Sequence, residues 1–187
     1  MSAGQLQADE VDRAVRYLVA ILVAWFLALV NVSVMSYVHV LGVHPDLVVI
    51  FAGCWATRRG FEEALLVVPV AGLLHDLSTS DPLGTSMLAL MPTVGLAAFV
   101  RLRAVDSQFV PALVVVSFGS LAYSLISMMV LASTGQAIAW ADAFLRVALP
   151  LAVVNPLLAP LIYLPIHRLS PGPQPAILGR GRITSPL

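Results

Sequence analysis

Six side chains able to hold a proton or a metal gather in one part of the chain: His39, His44, Asp46, His75, Asp76 and Asp81. A carboxylate near hydrocarbon is costly to keep charged, so it marks a site unless a partner neutralises it. Arg146 is the natural partner for Asp76 or Asp46, and a structural ion pair between Asp76 and Arg146 is the leading expectation. The three histidines lack the i, i+4 spacing of a helical zinc site. An aspartyl protease built from Asp46 and Asp76 would need carboxylates facing one another deep in the membrane, whereas these two lie near its boundary. No nucleophile sits beside a base and no glycine-rich loop could cradle a phosphate. The expectation is a protein that is not an enzyme and holds neither cofactor nor metal.

Other patterned residues point to helix packing. Ser117, Ser120, Ser124 and Ser127 fall at steps of three, four and three, a hydroxyl stripe down one helix face. Such a stripe bonds to a neighbouring helix or its own backbone, or lines a solute path. Ala20, Ala24 and Ala28 recur at four-residue steps and let another helix come close, either within the chain or on a partner. Pro150, Pro156, Pro160 and Pro165 should kink the last helix, with Asn155 satisfying a freed backbone group. The lone cysteine, Cys54, lies in an apolar run and reads as a buried, inert thiol.

The elements carrying these residues are apolar helices. Hydrophobic residues make up 59% of the chain and charged ones 11%, against about 25% charged in a soluble domain, so a soluble fold could not wet its surface. Equal numbers of basic and acidic residues leave no broad basic face, and nucleic-acid binding is unsupported. At 187 residues the chain holds at most about six or seven spans of roughly 20 residues each, with no room for a soluble catalytic domain.

Tyr17 to Tyr37 reads as a first span and an uncleaved signal anchor. Leu47 to Ala56 and Ala64 to Leu74 are short apolar runs flanking a polar turn, either a tight hairpin of two spans over Val43 to Leu77 or a pair of interfacial helices. After a loop at Ser78 to Gly84 come Thr85 to Val100, a polar turn at Arg101 to Asp106, Phe109 to Ala132, a loop at Ser133 to Asp142, and a last span from Ala143 to Ile166. Charge placement favours the hairpin. Six spans put Arg13, Arg16, Arg58, Arg59, Arg101, Arg103, Arg168, Arg180 and Arg182 on the cytoplasmic side and leave only Arg146 outside. The predicted architecture is an all-α integral membrane protein: a cytoplasmic segment over 1–16, a compact bundle of six transmembrane helices over 17–166, and a disordered cytoplasmic tail over 167–187.

Within that plan, Pro45-Asp46-Leu47-Val48-Val49-Ile50, Arg58-Arg59-Gly60, Gly72-Leu73-Leu74-His75-Asp76-Leu77 and Pro82-Leu83-Gly84 follow one another in order. This segment resembles the rod shape-determining protein MreD family, whose pattern is a helix opened by Pro-Asp, an arginine-bearing turn with Gly, a helix ending in Gly-x-x-x-Asp, and Pro-Leu-Gly. The resemblance extends over most of residues 17 to 168; the tail is longer and richer in proline than the family pattern.

The resemblance implies a non-enzymatic scaffold subunit of the bacterial elongasome in the inner membrane, supporting peptidoglycan synthesis and rod cell shape. Its partners would be an MreC-like single-span protein, the RodA glycosyltransferase with its penicillin-binding transpeptidase, the actin-like MreB, and membrane lipid. It also implies a fold similar to the substrate-binding components of energy-coupling-factor transporters, in which Ala20, Ala24 and Ala28 would form the face that docks the MreC helix. A small-solute, vitamin-like binding component of a transporter is the alternative.

Overall fold

A computed structural model describes residues 3–102 and 109–169. Arg103 and Asp106 of the expected turn, and the tail from residue 170 with Arg180 and Arg182, lie outside the described residues. The helices are α1 (Ala3–Ser33), α2 (Leu47–Arg59), α3 (Phe61–Ser78), α4 (Thr85–Arg101), α5 (Phe109–Ser133), α6 (Trp140–Ala143) and α7 (Leu149–Leu169). A π-helical turn, Phe144–Ala148, joins α6 to α7. Among the described residues there is no β-sheet, only an isolated bridge between Val40 and Val43.

The protein is an all-α membrane protein. Glu10–Tyr37, Phe109–Ser133 and Trp140–Ile166 are long and apolar enough to cross a bilayer, and Thr85–Arg101 is a shorter apolar helix. α1 begins well before Tyr17, because the polar stretch ahead of it is rich in Ala, Gln, Leu, Glu and Arg and contains no breaker after Gly4. The segment expected to stand apart over 1–16 is thus helical from Ala3 onward. At the other end α7 runs to Leu169, past the expected limit of the last span.

The short helix α2 is the centre of the molecule. Its 13 residues span about 20 Å at 1.5 Å per residue, and all of them from Leu47 to Arg58 are buried. It packs against α1, α3, α4, α5 and α7. A helix that is hydrophobic all round belongs inside, and the neighbouring helices cover this one. Gly60, the single residue between α2 and α3, has φ +99, and a Cβ there would meet the Arg101 guanidinium. Only glycine turns the chain so sharply under that arginine.

α3 and α4 approach almost backbone to backbone. A Cβ on Gly72 would lie 2.7 Å from the Met87 backbone nitrogen, so this position admits no side chain. Both helices also contain a proline, Pro69 and Pro92. The π-helical turn has a local cause as well: Pro150 lacks an N–H, so the Arg146 carbonyl loses its regular i+4 donor just where α7 begins.

The helices place their charged ends together. Arg59 lies close enough to Arg16 and Arg58 to interact electrostatically, Arg101 covers Gly60, and the Arg58 guanidinium lies 5.7 Å from the centre of the Tyr163 ring near the end of α7. Tyr163 in turn meets Phe109 at the start of α5, with ring centroids 5.4 Å apart. The opposite end of the bundle holds Asp46, Asp76 and Asp81 with His39, His44 and His75.

Candidate functional site

At that opposite end two carboxylates of the Pro45 to Gly84 segment, Asp46 and Asp76, receive backbone N–H groups. Asp46 stands at the N-cap of α2, and its Oδ1 accepts from Val48 N (2.9 Å) and Val49 N (3.2 Å). These are two of the first N–H groups that every helix leaves without an internal partner. Asp76, 2% exposed at the end of α3, does the same for a different helix. Its carboxylate accepts from Gly84 N at 2.8 Å and Ser86 N at 2.9 Å. Gly84 is the N-cap of α4 and makes no side-chain cap bond, so Asp76 supplies the anionic cap across the α3–α4 turn.

Hydrogen bonds then tie these caps to the remaining helices. Asn31 of α1 accepts from Leu47 N through Oδ1 (3.1 Å), and its Nδ2 lies 3.1 Å from His75 Nε2. Because the Asn31 oxygen is taken by a donor, its Nδ2 donates and His75 Nε2 accepts. The His75 proton therefore sits on Nδ1, which donates to Ser86 Oγ at 3.0 Å. Ser86 Oγ also lies within hydrogen-bond distance of Tyr123 Oη of α5, at 2.8 Å.

On the other flank Asp46 N donates to Asn155 Oδ1 of α7 (3.0 Å), while Asn155 Nδ2 donates to Ser120 Oγ of α5 (2.9 Å). Ser120 Oγ donates to Val116 O at 2.7 Å. Helices α1, α2, α3, α4, α5 and α7 all contribute to one polar network.

A cleft of about 550 Å³ opens beside it, walled in part by Asn31, His44, Asp46, His75, Asp81 and Tyr123. His75 Nε2 stands 4.0 Å from Asp46 Oδ2 at its inner edge. His44 Nδ1 donates to the Met35 and Val38 carbonyls, at 3.0 and 3.2 Å, and its ring packs on His39. The histidines thus divide into a loop pair and one network member. Among the described residues no group of three or more His, Cys, Asp or Glu side chains could hold a metal ion.

Several expectations are corrected here. Arg146 does not pair with Asp76: its Nε lies 3.3 Å from Asp142 Oδ1 one turn away, with the two side chains 81% and 68% exposed. A partner on the same helix face is nearer than one across the bundle, and Asp76 has backbone donors at hand. Ala20, Ala24 and Ala28 are buried at 0–1% exposure inside the chain's own core. They let α1 pack on α3 and α2 and present no free face to a partner.

The serine stripe divides too. Ser120 joins α5 to α7, whereas the Ser124 and Ser127 hydroxyls are buried without a hydrogen-bond partner among the described residues, and Ser117 is half-buried. Asn155 does satisfy a backbone group, but it belongs to α2 and not to the proline-freed carbonyls of its own helix. Cys54 is buried and free, as expected.

The sequence reading missed Asn31, Ser86 and Tyr123. An amide inside an otherwise apolar helix is a signal that could have found Asn31; Ser86 and Tyr123 carry none, since their role depends on where α4 and α5 cross. Arg58 and Arg59 differ from solvated turn residues: Arg58 is 6% exposed, and Arg59 lies 3.9 Å from Glu63 and over the Trp55 ring. Pro82 O accepts from Thr85 in the turn that closes on Asp76, and Leu83 beside it is exposed. No family model, curated protein or solved structure matches the chain.

Proposed function

We propose that the protein is a non-enzymatic membrane scaffold of the MreD type, which crosses the inner membrane six times with both termini in the cytoplasm. In this role it holds an MreC-like single-span protein within the peptidoglycan-synthesising elongasome. The observation that carries this reading is the use of Asp46 and Asp76. Both are committed to capping helices, so the Pro45 to Gly84 segment that resembles the family works as a clasp on the bundle and not as reacting chemistry. The clustering of Arg16, Arg58, Arg59 and Arg101 at one end supports the six-span topology. The central position of α2 supports it further, because a helix shielded by longer neighbours need not match the bilayer thickness.

The docking surface in this proposal lies on the face of α1 opposite the alanines. Val11, Val15, Leu18, Leu22, Trp25 and Leu29 follow steps of four and three and are all exposed. That 3.5-residue period is the seam two helices share in a coiled coil. Replacing Leu18, Leu22 and Trp25 together by Ala, then purifying the tagged protein in mild detergent, should abolish recovery of the single-span partner while the bundle stays folded. Undiminished recovery would overturn this surface.

The cleft favours a second reading, a binding component for a small solute, since about 550 Å³ falls within the roughly 300–1,000 Å³ of ligand pockets. Thermal stabilisation of the purified protein by a vitamin, lost in Tyr123→Phe, would establish that reading in place of the scaffold.

A further inference from the structure

The flank of α1 holds a second hollow, which shares only Val15 with the docking face of the scaffold reading. α1 packs on α3 and α2, and its backbone does not closely approach that of α7 among the described residues. The gap between α1 and α7 is an apolar groove of about 610 Å³ floored by Phe51 and Trp55 of α2. Along α1 it runs from Val15 to Val30, about 22 Å at 1.5 Å per residue. One leaflet of the hydrocarbon core is about 15 Å deep. A single acyl chain is slender enough to lie along that length with its headgroup at the leaflet surface.

The groove is apolar along its length and cationic at one end. Arg16 forms part of its wall at the arginine end of the bundle, with Arg59 close by over the Trp55 ring. Two residues of that wall carry an unsatisfied donor. Arg16 Nε and Trp55 Nε1 are both buried and find no hydrogen-bond partner among the described residues, and Trp55 is only 5% exposed. A buried N–H without an acceptor is costly, so each side chain gains by turning its N–H toward an acceptor held in the groove.

From this geometry we infer that the groove is a binding site for one anionic phospholipid of the arginine-side leaflet, its phosphate on Arg16 and the Trp55 indole N–H and an acyl chain between α1 and α7. Charge and shape select together: the arginine recognises the phosphate, and the depth of the groove admits a flexible chain. Bound lipid would fill the gap between α1 and α7 and brace α1 against the bundle.

Native mass spectrometry of the detergent-purified full chain, mixed with equal amounts of phosphatidylglycerol and phosphatidylcholine of the same acyl length, tests this. Preferential retention of one phosphatidylglycerol is expected. Arg16→Gln should reduce that preference about five-fold, the worth of one basic residue near an anionic surface, and Trp55→Phe should weaken it while keeping the ring. Val23→Trp, which fills the groove from α1, should displace both lipids. Equal retention of the two lipids by the unaltered protein overturns the proposal. So does an unchanged preference in both Arg16→Gln and Val23→Trp, or competition by glycerol phosphate alone as effective as the whole lipid.

Discussion

The two ends of the bundle handle polarity in opposite ways. At the arginine end, charges are met by rings and by one another: Arg58 lies against Tyr163, and Arg59 against Trp55 and Glu63. The Arg59–Glu63 pair stands at 3.9 Å, and the two guanidinium carbons lie 5.7 and 5.5 Å from the centres of the Tyr163 and Trp55 rings. At the far end, polar groups meet at 2.8–3.2 Å, and most of the donors or acceptors are backbone groups at helix starts. A guanidinium over a ring tolerates small shifts of the helices, whereas a carboxylate seated on two amide protons does not. The network end therefore sets the geometry of the fold more tightly.

The strongest way to break this contrast is to remove the Asp76 carboxylate. Asp76→Ala leaves the buried N–H groups of Gly84 and Ser86 without an acceptor and should cost about 3 kcal/mol, the sum of a charged hydrogen bond and a lost cap. Asp76→Asn, which keeps one acceptor oxygen, should cost about half as much. Unfolding in a denaturing detergent, followed by circular dichroism, measures both. A loss below that of the arginine-end variants would reverse the assignment of the two ends.

Ala24→Leu probes the wall between α1 and the core, at a site with 0% exposure. Adding three carbons to a closed contact should cost roughly 2 kcal/mol by overpacking, read as a lower midpoint in the same assay. A variant as stable as the unaltered chain would instead place the alanines on a free surface, as the family resemblance implies.

Much of this was legible in the residues, and the part that was not has a physical reason. Six apolar helical runs, the grouping of arginines at one end and the buried thiol all follow from local composition, because burial of a whole run needs no knowledge of its neighbours. The alanine spacing correctly marked a close helix contact, yet periodicity alone cannot say whether the neighbour belongs to the same chain. Asp76 was recognised as a residue needing a partner. The partner proved to be backbone at the start of the next helix, so a search among oppositely charged side chains chose Arg146 wrongly. Asn31, Ser86 and Tyr123 lie on three different helices, and only the crossing of those helices brings them to His75.

At the arginine end, Glu63→Gln sharpens the comparison from the other side. The Arg59 and Glu63 side chains are 5% and 22% exposed and their contact is a loose 3.9 Å, so losing the charge should cost about 1 kcal/mol. Raising salt should change the effect little, because Arg59 Nε and Glu63 Oε2 are both buried and such pairs are screened much less.

Arg146→Gln should have the smallest effect of all. The Arg146–Asp142 pair stands at 3.3 Å on a helical turn with both side chains mostly exposed, a geometry that contributes about 0.3–0.5 kcal/mol. Had Arg146 neutralised a buried Asp76, the same substitution would strand a charge in the core and cost several kcal/mol. One unfolding midpoint thus separates the two pairings. A shift of about 0.5 kcal/mol or less leaves Asp76 to its backbone donors, and a loss near that of Asp76→Ala would restore the ion pair across the bundle.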